Sequence, residues 1–199
     1  QVVLFAIINL TLLLTGCSGH GFDKVTIRDI PVETAHFKMS RDSVKAILDV
    51  AQQEVSKQLP NAYPIAFVYT GDCDALPNMQ GRINMLFVQV NKIFFWRRLL
   101  TASVSVDTSR GMMDIEYLDY TSINLRTDPL AFATNEISFS EVTEVAYDHI
   151  VESQVANCDV TITRTRQAWR VRCGPIENFV QECLFRVDPF NGEITPLEE

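Results

Sequence analysis

Five cysteines carry most of the reactive chemistry in this chain: Cys17, Cys73, Cys158, Cys173 and Cys183. Thiolates can bind soft metals, pair as disulfides or act as nucleophiles, and spacing separates these uses. No Cys-x-x-Cys occurs, and His20, His36 and His149 are scattered, so the close ligand pairs of a zinc site are missing and neither metal nor cofactor is expected. Cys17 stands apart, directly behind an apolar run, which leaves an even set of four further along. Other catalytic signatures are missing too: there is no His-Glu-x-x-His, no Gly-x-Ser-x-Gly and no phosphate-cradling glycine loop. The chain reads as non-enzymatic.

The run from Val2 to Leu14 is interrupted only by Asn9 and Thr11. It is shorter than the roughly 20 apolar residues of a spanning helix and fits the apolar core of a secretory signal. Leu14-Thr15-Gly16-Cys17 resembles the bacterial lipobox, in which small residues before a cysteine admit the lipoprotein signal peptidase. The resemblance implies cleavage before Cys17, lipid on its sulfur and anchoring in a membrane by two or more acyl chains. Ser18 stands where an Asp would imply retention at the inner membrane of a Gram-negative cell, so the expected location is the outer membrane, facing the periplasm. The chain starts at Gln1 without a basic leader, so the signal, residues 1–16, is expected to be truncated at its start. Residues 17–36 would be the lipidated cysteine and a tether.

About 180 residues then remain, enough for a substantial core. The net charge of −8, with both signs interspersed, offers no basic footprint for nucleic acid. In an exported chain, four remaining cysteines point to two disulfides.

The elements that must position these residues come in two similar series. Met39-Ser40 and Ile137-Ser138 each precede apolar residues at helical spacing: Val44, Ile47, Leu48, Ala51 and Val55 in one, Val142, Val145, Ala146 and Ile150 in the other. Each serine can cap its helix, and Glu141 completes a capping box with Ser138. Pro60 should end the first helix at Leu59. After each helix the apolar period becomes two. Pro64 to Thr70, Ile83 to Val90 and Leu99 to Asp107 read as strands in the first series, and Asp159 to Arg166, Ala168 to Cys173 and Glu182 to Asp188 in the second. Ile115 to Tyr120 can add another. Val106-Asp107-Thr108-Ser109-Arg110-Gly111 matches Val187-Asp188-Pro189-Phe190-Asn191-Gly192, a strand entering an Asp-initiated turn closed by glycine.

Helix, three antiparallel strands and this turn resemble the PepSY-like unit of peptidase propeptides and small envelope proteins. The expected fold is therefore α+β: two tandem units, each one helix packed on a three- or four-stranded antiparallel sheet. Residues 37–120 form the first repeat, 121–136 a connection and 137–199 the second repeat. The resemblance implies a protein-binding module, restraining or inhibiting an envelope peptidase. The alternative is a structural or assembly lipoprotein of an outer-membrane complex. Expected partners are the lipid membrane, through acylated Cys17, and an unidentified envelope protein.

Alternation in the second series places Cys158, Val160, Ile162, Trp169, Val171, Cys173, Cys183, Phe185 and Val187 on one face, toward the helix. A turn centred on Thr165-Arg166 would set Val160 opposite Val171, Cys158 opposite Cys173 and Arg172 opposite Asp159. The next loop sets Cys183 opposite Cys173, so Cys173 can bond either neighbour and the one left over would take Cys73. On the outer face Arg170 opposes Arg186, and like charges across a sheet are destabilising. An acidic side chain from the other series or the tail Glu198-Glu199 would neutralise them, or the two arginines hold an anionic group of a partner. Phe94, Trp96, Leu100, Ala102, Val104 and Val106 share one parity, as a core-facing strand requires. The competing reading of Phe94 to Arg98 is contact with a membrane surface. His149 falls at the edge of its helix's apolar stripe, a place for a partly buried, non-catalytic histidine.

Overall fold

A computed structural model describes residues 25–32, 43–93, 96–120, 129–130, 132–133, 135–155, 158–174 and 183–197; at 25, 43–44, 92–93, 96–98 and 119–120 only the backbone is described. The strands are β1 (Val25–Pro31), β2 (Tyr63–Asp72), β3 (Arg82–Ile93), β4 (Trp96–Asp107), β5 (Met112–Tyr120), β6 (Asp159–Arg164), β7 (Trp169–Cys173), β8 (Leu184–Val187) and β9 (Ile194–Pro196). Helices α1 (Ser43–Ser56) and α2 (Phe139–Glu152) precede β2 and β6, and a 3-10 helix, Cys73–Asn78, follows β2. Among the described residues no helix is long and apolar enough to cross a membrane. The signal, Cys17, Ser40, Phe94, Phe95, Glu198 and Glu199 lie outside the described residues, as do parts of the expected tether, 17–36, and connection, 121–136; within that tether Val25–Pro31 is instead β1, paired with β5.

All nine strands among the described residues belong to one antiparallel sheet, ordered β1-β5-β4-β3-β2-β6-β7-β8-β9. This corrects the expectation of two tandem helix-on-sheet units. The first strand after each helix, β2 or β6, would leave an open edge in a unit standing alone, with a row of unpaired backbone groups. Instead the two edges pair with each other, from Phe67 opposite Arg164 to Asp72 opposite Asp159. One continuous apolar cluster runs beneath both helices, taking Ile47, Ala51 and Val55 from α1, Phe139, Val142 and Ala146 from α2, and inward residues of β2 to β8. Local periodicity shows which side of a strand is apolar. It carries no record of which distant edge that strand will join.

Other local expectations hold. The nine residues assigned inward in the second series, Cys158 to Val187, are all buried. Leu100, Ala102, Val104 and Val106 are buried in the same core. Ser138 caps α2 by accepting from the Glu141 N–H, and Glu141 returns a bond to the Ser138 N–H at 2.7 Å, completing the box. In the two similar turns, Asp107 Oδ1 accepts from the N–H groups of Ser109 and Arg110 and Asp188 Oδ1 from those of Phe190 and Asn191. Each closes on a glycine at positive φ, 64° at Gly111 and 73° at Gly192, where a side chain would be strained.

The register of β6 against β7 differs from expectation by two residues. Val160 faces Cys173, Ile162 faces Val171 and Arg172 faces Thr161 rather than Asp159. Thr165 causes the shift: its N–H donates to the Ala168 carbonyl at 3.0 Å and its hydroxyl to the same oxygen at 2.7 Å, placing the turn on Arg166 and Gln167. Because the shift is even, every side chain stays on its expected face.

Candidate functional site

The four cysteines gather at one end of the seam between β2 and β6. Cys73 follows β2 and Cys158 precedes β6, and the Cys73 N–H donates to the Cys158 carbonyl at 2.8 Å. Their disulfide spans a Cα–Cα distance of 5.4 Å, and a second joins Cys173, ending β7, to Cys183, preceding β8, at 5.1 Å. The even shift in register decides between the two open pairings. It sets Val160 rather than Cys158 across from Cys173, leaving Cys158 for the neighbour on its other side. Two disulfides fit an oxidising compartment of the extracellular or periplasmic kind.

Nearby, Tyr69 is buried on the inner face and donates its hydroxyl to the Gln80 carbonyl at 3.0 Å. Burial, aided by the charge of Asp72, pushes its pKa up to about 12. In the turn after β4, the Ser109 hydroxyl holds the Asp107 carboxyl below its usual range, despite a smaller opposing effect of burial.

At the other end of the seam is a feature that the sequence reading did not pick out. Arg164 continues the inward parity of Val160 and Ile162, so its guanidinium enters the core and is 3% exposed. It pairs with the Glu136 carboxylate at 2.6 Å, donates to the carbonyls of Thr165 and Ala168, and lies over the rings of Trp169 and Phe132 at 5.4 and 5.8 Å. Phe67 and Phe139 pack around Trp169. Glu136 Oε2, Arg164 Nε and Trp169 Nε1 have no hydrogen-bond partner among the described residues. The parity of Arg164 was the available signal, together with an acidic residue just before the helix cap.

Arg170 and Arg186 face each other across β7 and β8, as the alternation indicates. They sit in a rung on the face away from the helices: Val68, Thr163, Arg170, Arg186 and Thr195 on five neighbouring strands. Arg170 is exposed and Arg186 half-buried, with its Nε buried and unpartnered. The ion pairs among described residues join Lys57 to Glu54, Arg110 to Asp29 and Arg164 to Glu136, and none reaches Arg170 or Arg186. Thr161, Thr163, Arg172 and Leu184 around them are exposed or half-buried, whereas Val88, Leu99 and Thr101 on the β3–β4 half of this face are buried. His149 packs its ring edge-on against Phe185 at 4.6 Å and is half-buried.

The sheet's two edges are poor sites for adding a strand. β1 carries a bulge between Ile27 and Ile30, with Asp29 at φ 56°, and ends in Pro31; β9 has three residues and ends in Pro196. Bulges, prolines and shortness are the usual protections of an edge. Compared with known proteins, the chain matches no family model, no curated protein sequence and no solved structure.

Proposed function

We propose that the chain is a bacterial envelope lipoprotein, anchored through acylated Cys17, that works without catalysis as a binding module for another envelope protein. The observation that carries this reading is the Arg170–Arg186 rung, two cations opposed on the outer face with no carboxylate of a described residue to neutralise them. Facing like charges cost stability, and an acidic segment of a partner laid across β7 and β8 would reverse that cost. With both edges protected, the face of β6 to β8 is the surface for such a partner. Anchoring raises the module's effective concentration near proteins of the same membrane. The resemblance of the Val-Asp-x-x-x-Gly turn makes a co-resident peptidase the first partner class to test.

The experiment is co-isolation of the lipidated full-length chain from its native envelope after mild crosslinking. Arg170→Ser/Arg186→Ser should lose the captured partner without a fall in melting temperature, and Arg28→Ser, removing an exposed charge on the distant β1, should keep it. Equal capture by the double variant would reject the reading.

A further inference from the structure

The four cysteines are closer than two independent disulfides require. The sulfurs of Cys73, Cys158 and Cys173 all lie within 4.8 Å of one another, and that of Cys183 is bonded to Cys173. The Cys173–Cys183 bond is sealed in the core, its residues 0% and 1% exposed. Cys73 and Cys158 are also buried, 3% and 7% exposed, but they line a groove of about 470 Å³ together with Asp72, Asp74 and Asp159. A thiolate can displace any disulfide sulfur it can reach. An outer disulfide in the wall of a groove and an inner one with a sulfur within 4.8 Å form a chain along which exchange can pass once the groove side opens slightly.

We infer that the cysteine quartet is a thiol–disulfide relay, which takes two electrons from a dithiol in the groove and leaves them on two thiols, Cys73 at the groove and buried Cys183. A donor thiolate attacks the Cys73 sulfur, forming a mixed disulfide as the Cys73–Cys158 bond breaks and its electron pair leaves on Cys158. The Cys158 thiolate attacks Cys173, one strand away on β7. A Cys158–Cys173 bond forms, the Cys173–Cys183 bond breaks, and the pair ends on Cys183. The donor's second thiolate then attacks its own partner sulfur, closing the donor's disulfide and releasing Cys73 as thiolate. The two protons lost by the donor end on Cys73 and Cys183. The donor is oxidised by two electrons, and two disulfides in the protein become one disulfide and two thiols.

The groove also selects the donor. Three aspartates at its rim repel an anionic thiolate, so the relay suits a dithiol that is uncharged or carried on a basic surface, and resists acidic monothiols such as glutathione.

The test is titration of the folded full-length protein with limiting dithiothreitol, quenched by an alkylating reagent and mapped by peptide analysis without reduction. The relay predicts a one-disulfide species joined through Cys158 and Cys173, with Cys73 and Cys183 alkylated. A species keeping Cys173–Cys183, with Cys73 and Cys158 alkylated, would overturn it. Cys73→Ser gives an independent reading by leaving Cys158 as a thiol beside the inner disulfide. The label should divide between Cys158 and Cys183 after incubation at mildly alkaline pH, and label confined to Cys158 counts against the relay. If that variant does not fold, the titration decides alone.

Discussion

The two faces of β6, β7 and β8 treat arginine in opposite ways. On the inner face Arg164 is buried, yet it has a carboxylate at 2.6 Å, two carbonyl acceptors and two aromatic rings. On the outer face Arg170 and Arg186 have each other. A core cannot hold an uncompensated charge, because desolvation costs several kcal/mol per ion. A wet face can leave cations opposed at modest cost, since water and salt screen them. The inner arginine belongs to the fold. The outer pair is opposed without a carboxylate of a described residue, and this contrast is what the proposed partner-binding role rests on.

The inner face and its disulfides should hold the molecule together. Removing the seam disulfide with Cys73→Ala/Cys158→Ala, whose bond closes a separation of 85 residues, should cost about 4 to 5 kcal/mol in the chain-entropy estimate. The same change at Cys173 and Cys183, a separation of 10, should cost about 2.5 to 3 kcal/mol. Urea denaturation of the two double variants measures both, and equal losses would mean that the seam bond is not the main restraint on the unfolded chain.

Between these two losses falls Glu136→Ala, which strands the Arg164 charge in the core and should cost about 3 to 4 kcal/mol. Replacing both partners, as Glu136→Leu/Arg164→Met, should recover most of that loss in the same assay. A double variant as unstable as the single would show that Arg164 is held by its carbonyl and aromatic contacts rather than by the carboxylate. A smaller loss is expected at the helix covering this face, where Ser138→Ala removes the N-cap of α2 and should cost about 1 kcal/mol. Smallest is Arg170→Ser/Arg186→Ser, which should change stability by less than about 0.5 kcal/mol, or raise it slightly as the facing charges disappear. A large loss there would make the pair structural and erase the contrast.

Much of the inner face was legible in the sequence because strand alternation is local: Val160, Ile162, Val171, Phe185 and Val187 fall inward by parity alone. The Ser138–Glu141 box and the Asp107 and Asp188 turns were legible too, since their chemistry is complete within a few residues. The Arg170–Arg186 opposition followed from the β7–β8 register. The single sheet did not, because the pairing of β2 with β6 joins residues about 90 positions apart and leaves no periodic trace in either strand. The register of β6 on β7 hinged on one side chain, Thr165, bonding across its turn, and with it went the choice of partner for Cys158. Arg164 was passed over because a charge at an inward position reads as a strand's end until its counter-charge, Glu136, is found 28 residues earlier.

A photocrosslinking side chain at Thr163, beside Arg170 in the same rung, probes what binds the outer face. In the native envelope the full-length chain should give one dominant crosslinked partner, and the adduct should vanish when Arg170→Ser and Arg186→Ser are added. No adduct at Thr163, or one that survives the double substitution, would contradict the partner-binding role.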